Sequence, residues 1–290
     1  KNALNFFCIV LISQVLFFSK AFAAPTFVDA FSVNSEETRP NGFTFNNDGT
    51  KMFVTGHNGD DVNEYKLTTG FDISTATFVD SFDTESEDND SRDVKFNQNG
   101  TKMFVLGKQN DRVCEYTLST GFDVSSTVTF VDCASVSEES MPDELEFNPD
   151  GTKMFVMGES GDDVNEYTLS TGFDVSTATF VDSFSVSSEE TVPMGLAFTY
   201  DGTKMFVTGW TGEDINEYTL STGFDVSTAT FVDSFSITDQ DDEPGSLAFS
   251  SDGSKLFLLG RENNKVYEYS LTCYYGVINC MDPTSDKDDV

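Results

Sequence analysis

Residues 144–186 read ELEFNPDGTKMFVMGESGDDVNEYTLSTGFDVSTATFVDSFSV, and this stretch decides the fold. Apolar and polar residues alternate in short runs of about 4–8, the pattern of half-buried strands, with no helical period competing. Asp150-Gly151 is a tight hairpin turn between the first run and KMFVMG. A Gly/Asp-rich loop reaches VNEYTL, and the connection STGFDVSTA leads to TFVDSFSV, so one unit holds four antiparallel strands.

The unit recurs along the chain. Gly49, Gly100, Gly151, Gly202 and Gly253 are each 51 residues apart, and the same step carries Phe45, Phe96, Phe147, Phe198 and Phe249. Lysines from Lys51 to Lys255 and glutamates from Glu64 to Glu268 follow it too, as expected of charge ladders between second and third strands. Four-stranded units of this length cannot bury both faces alone and stack as propeller blades. TFVDAFSV at 26–33 precedes the first complete unit, while the last unit ends after its third strand near Leu271. The N-terminal strand is therefore expected to close the ring as the fourth strand of the last blade. Two columns vary together: Asn63, Cys114, Asn165, Asn216 and Tyr267 against Ser81, Cys133, Ser183, Ser234 and Ala30, so that large Tyr267 would face small Ala30. The expectation is an all-β, five-bladed propeller over residues 24–272. Of 29 phenylalanines, 23 fall in five repeating columns and are read as core.

The stretch NPDGTKMFVMG at 148–158 resembles the "SPDG-x-x-hydrophobic" hairpin of YVTN-type, TolB-like and WD-repeat propellers. The resemblance covers residues 26–272 and implies the propeller fold.

Composition narrows the function. The 290 residues carry 16 Lys plus Arg against 50 Asp plus Glu, a net charge of −34, which argues against nucleic acid or an anionic membrane as partner. With 38% hydrophobic and 13% aromatic residues the chain has a core to bury. At the N-terminus, Lys1 leads into LNFFCIVLISQVLFF and then Ala21-Phe22-Ala23, the pattern of a cleaved secretory signal at 1–23. Its apolar run is shorter than the roughly 20 residues of a spanning helix, so no transmembrane segment is expected after cleavage. A monomer that is secreted, periplasmic or held at the cell surface follows as the expectation. Cys114 and Cys133 fall at paired positions of one blade, which predicts a cross-strand disulfide, and Cys273 and Cys280 would close a small loop in the 273–290 tail.

Strand direction places the loops after second and fourth strands on one face of the disc, here called upper. The Asp-Gly turns and STGFDVSTA connections lie on the other, the lower face. Upper loops differ from blade to blade and lower ones barely change, so a ligand site is expected above, at His57, Lys108, Glu159, Trp210 and Arg261. Drift of unconstrained loops gives the same pattern. Trp210 is the only tryptophan and suits a sugar ring or a protein contact. Acidic clusters on that face offer calcium ligands, among them Glu85, Glu87, Asp88, Asp239, Asp241 and Asp242, although none has the Asp-x-Asp-x-Asp-Gly loop.

A catalytic reading must use the channel lined by first strands. Asp93, Glu144 and Glu146 cluster there in one sector, similar to five-bladed glycosidases that set carboxylates around a funnel. The alternative is a buried ion pair of Lys95 with Glu146. Three functions stay open: a module binding an extracellular glycan or protein, a carbohydrate-active or lactonase-like hydrolase, and a display or spacer module of a longer surface protein.

Overall fold

A computed structural model describes residues 25–237 and 240–271. The expected signal segment, Asp239, Cys273 and Cys280 lie outside the described residues. Twenty strands form five four-stranded sheets arranged as blades. The first strands are β2 (Pro40–Phe45), β6 (Ser91–Phe96), β10 (Pro142–Phe147), β14 (Pro193–Phe198) and β18 (Pro244–Phe249), and they face the central channel. The second are β3 (Lys51–Gly56), β7 (Lys102–Gly107), β11 (Lys153–Gly158), β15 (Lys204–Gly209) and β19 (Lys255–Gly260). The third are β4 (Asp61–Leu67), β8 (Arg112–Leu118), β12 (Asp163–Leu169), β16 (Asp214–Leu220) and β20 (Lys265–Ser270). Blades one to four end in β5 (Ala76–Asp83), β9 (Val128–Ser135), β13 (Ala178–Ser185) and β17 (Ala229–Ser236). The fifth blade is completed by β1 (Thr26–Ser32), which pairs antiparallel with β20 and sets Ala30 opposite Tyr267. Cys114 faces Cys133 across β8 and β9 and the two form a disulfide.

The core lies between blades, as alternation on both faces of each sheet requires. Met52 and Val54 of β3 pack with Phe257 and Leu259 of the fifth blade, while Phe53, on the opposite face of the same strand, packs with Val94 and Met103 of the second. Charge ties the blades together as well. The repeated Lys–Glu pairs form, at 2.6–2.7 Å, and those of the first, second, third and fifth blades reach beyond their own blade. In the first blade Lys51 donates to the Phe122 carbonyl and Glu64 accepts the Val124 N–H at 2.9 Å, clasping the second blade's connection. The expected ladder is thus an inter-blade clasp.

Two phenylalanine columns depart from the expectation of core. On the outermost strands Phe27, Phe78, Phe130, Phe180 and Phe231 are 40–46% exposed, each with its ring set edge-on to a tyrosine of the third strand. There is no further sheet outside them to bury the second ring face. Phe45, Phe96, Phe147, Phe198 and Phe249 are only half-buried, because they stand at the lower mouth of the channel.

Candidate functional site

In the first strands the pairing register slips between the first and third residues or just beyond. Two successive residues therefore reach the channel before alternation resumes. Three layers result: Asn41, Arg92, Asp143, Met194 and Gly245 uppermost; then Gly42, Asp93, Glu144, Gly195 and Ser246; then Thr44, Lys95, Glu146, Ala197 and Ala248. In every layer the second and third blades supply charged side chains. The other three blades supply mostly small ones.

The middle is a closed ionic plug. Lys95 Nζ lies 3.2 Å from Asp93, 3.0 Å from Glu144 and 3.1 Å from Glu146. Asp93 also accepts the Val94 and Leu145 N–H groups, and Glu144 accepts the Ser246 hydroxyl from across the channel at 3.0 Å. Gly42 makes room for this, since a Cβ there would stand 2.5 Å from Asp93. Burial opposes the charge on Lys95, but its three carboxylates outweigh it and hold the pKa well above the ordinary lysine value. Burial, with the Asp93 charge added, pushes the Glu144 pKa far up, against the pull of Lys95. Burial also raises Asp93 and Glu146. Asp93 and Glu144 expose no surface, and of the three carboxylates expected in catalysis only Glu146 reaches a cavity. The expected Lys95–Glu146 pair is present, as part of this larger cluster.

Above the plug, the predicted ligand column does assemble around the upper mouth, largely paired with itself. His57 Nδ1 lies 2.9 Å from Asp90, Asp90 binds Arg92, and Arg92 binds Asp143 at 3.0 Å. Lys108 spans Asp143 at 3.2 Å and Glu159 at 3.0 Å. Burial drives the Asp143 pKa up to about 6 against the pull of Arg92 and Lys108. Arg261 and Trp210 stand apart from this network, the guanidinium stacked 4.7 Å from the indole centroid.

The acidic clusters serve the backbone. Asp88 accepts the N–H groups of Asp90, Gln109 and Asn110, and Asp241 accepts those of Glu243, Glu262 and Asn263 together with the Tyr267 hydroxyl. Glu37, Glu139 and Glu190 clamp the matching loops of the other blades. Glu87 takes the Tyr116 hydroxyl. These expected calcium ligands therefore hold loops, and among the described residues no three acidic, His or Cys side chains converge as an ion site.

A cavity of about 590 Å³ opens at the lower mouth, on the face expected to be scaffold. Its floor is Glu146 with Thr44, Ala197 and Ala248, and its aromatic walls are Phe45, Phe198 and Phe249. Asn47, Gln98, Thr199, Ser251 and Asp252 rim it, with Tyr200 standing 80% exposed. The cavity exists because small third-layer residues leave the channel empty in three blades, whereas Lys95 and Glu146 fill the others. Asn47 donates to the Gln98 carbonyl and Gln98 to that of Pro149, each at 2.6 Å, a chain of amides along the filled side. A signal for this site was in the sequence: the residue before each Asp-Gly or Asn-Gly turn reads Asn47, Gln98, Pro149, Tyr200, Ser251 and varies as freely as any upper column. It is masked by the constancy of the residues after it.

No family model matches the chain, and no curated protein matches it. Among solved structures the chain is similar to a luciferin-regenerating enzyme, at 13% identity and a TM-score of 0.54 over 88% of this chain and 98% of that one. It is also similar to a β-propeller domain from Myceliophteria thermophila, at 8% identity and a TM-score of 0.51 over 86% and 100%. A 6-phosphogluconolactonase-like protein from Bacteroides uniformis matches at 13% identity and a TM-score of 0.50 over 77% of this chain and 64% of that one, so the chain spans less than two thirds of that relative. These likenesses carry the propeller fold, which serves binding proteins and enzymes alike. No helix of the described residues is long and apolar enough to cross a membrane.

Proposed function

We propose that the protein is an extracytoplasmic binding module that takes a neutral, polyhydroxylated ligand, the end of a glycan chain, in the lower mouth. The observation that carries this reading is the cavity of about 590 Å³, whose aromatic walls meet an amide and hydroxyl rim. Sites of this size with an apolar body and few polar groups hold small ligands. Aromatic faces suit the C–H faces of a sugar ring, and side-chain amides suit its hydroxyls. Glu146 in the floor and a net charge of −34 disfavour anions there. Hydrolysis by paired carboxylates has less support. The cavity is lined by two acids, Glu146 and Asp252, and Asp252 is engaged by Ser250 and Ser254 within its turn.

Calorimetric titration with cellotetraose, chitotetraose and xylotetraose tests the reading. At least one should bind with a Kd between about 10 μM and 1 mM, and Tyr200→Ala should weaken it about tenfold. Silence across the three sugars, or binding that ignores Tyr200→Ala, overturns it.

A further inference from the structure

Three basic residues are buried among the described residues. Arg92 is held by Asp90 and Asp143, and Lys95 by three carboxylates. Arg261, 6% exposed, has no carboxylate within ion-pair distance among the described residues, in a chain where acids outnumber bases 50 to 16. Its guanidinium rests on Trp210 and approaches the Met194 sulfur at 3.9 Å, and its Nε has no hydrogen-bond acceptor. Trp210 Nε1, a second buried N–H, also lacks one. The side chain lies over Gly245, where a Cβ would stand 3.3 Å from its Cγ and Cδ, so the sequence leaves space for it at the upper mouth. Burial, with Arg92 and Arg39 nearby, pushes the Arg261 pKa down to about 10 against the more distant pull of Asp143 and Glu243, which still leaves it charged at neutral pH.

A buried guanidinium with no carboxylate in contact is unfavourable until something supplies one. The planar fork of Arg261 matches a carboxylate, which accepts two parallel hydrogen bonds. A single-charged ligand also suffers little from the surrounding negative field, whereas a polyanion is repelled by it. We propose that Arg261 and Trp210 form a receptor at the upper mouth for a small monocarboxylate, of the kind carried by an acidic sugar. The indole offers the ring contact and the guanidinium the counter-ion. The site is separate from the lower cavity and makes no use of it.

Trp210 is the only tryptophan in the chain, so tryptophan fluorescence, excited at the red edge where tyrosine does not absorb, reports this site alone. The full chain is titrated with sodium D-glucuronate, N-acetylglycine, D-glucose and D-glucose 6-sulfate at matched ionic strength. A saturable change with glucuronate in the millimolar range, and none with glucose, is expected. Response to N-acetylglycine as well means that the carboxylate alone is read; response to glucuronate alone means that the ring contributes; either supports the site. Arg261→Lys keeps the charge and loses the fork, and should weaken glucuronate about tenfold, while Tyr200→Ala leaves the response unchanged. For a readout independent of fluorescence, calorimetry on Trp210→Phe should show weaker binding in a protein of unaltered melting temperature. No saturable response of the unmodified chain, an equal response to glucose or to glucose 6-sulfate, or a titration indifferent to Arg261→Lys overturns the proposal.

Discussion

The two mouths of the channel are made by the same five strands and the same repeat, and they end in opposite ways. At the upper mouth, side chains from His57 round to Glu159 close into one ionic network in which most charges already have partners. At the lower mouth, phenylalanines and small residues leave a cavity that nothing in the described residues fills. Between them Lys95 and its three carboxylates seal one end from the other. Variability and availability are therefore separate properties. Variable upper residues are mostly satisfied by one another, while an overlooked variable column below, ending in Tyr200, borders free space.

The seal gives the largest way to break this contrast. Lys95→Met leaves buried carboxyls with no counter-ion and should destabilise the fold by about 3–5 kcal/mol in denaturant unfolding. A loss under about 1 kcal/mol would show that protonated carboxyls hold the plug alone. Next comes pH at the upper mouth. Asp143 titrates near 6 when folded, above its value of 3.8 when unfolded. Its contribution is thus fully present below about pH 4 and is lost as pH rises through about 6, on the order of 3 kcal/mol. Melts of the unmodified protein and of Asp143→Asn across that window should converge at low pH relative to their separation there, with the unmodified protein losing more as pH rises; parallel curves would refute the assignment. Below the plug, Tyr200→Ala should leave stability within about 0.5 kcal/mol while weakening sugar binding. The smallest structural effect is expected of Ala248→Leu, which enters the cavity from the fifth blade: stability should again stay within about 0.5 kcal/mol, yet tetrasaccharide binding should vanish in calorimetry. Unaltered binding would place the sugar elsewhere.

Much of the fold was legible because a repeat states its own geometry several times over. The 51-residue step, the displaced TFVDAFSV strand and the paired variation of Tyr267 with Ala30 gave the blade number, the closure and one cross-strand register, and the Cys114–Cys133 bridge followed from that register. The crowding of Asp93, Lys95, Glu144 and Glu146 into one sector was equally visible. What escaped was where side chains spend their hydrogen bonds. Asp88 and Asp241 look like metal ligands in a row of acids, but backbone N–H groups of loops about 20 residues onward claim their oxygens.

The strands, their order and the sharing of the last blade are written in the chain, because local periodicity and repetition are properties of the sequence. Which charges meet and which space stays empty follows from how the blades are set around the axis. Arg92, Lys108 and Arg261 look alike as basic residues of one acidic chain, yet two reach carboxylates and the third rests on an indole. Ala197 and Ala248 are ordinary small residues until the ring closes and sets them around one axis with Thr44, leaving a volume no single blade contains. Such pairing and packing depend on distances between blades, which no one repeat encodes.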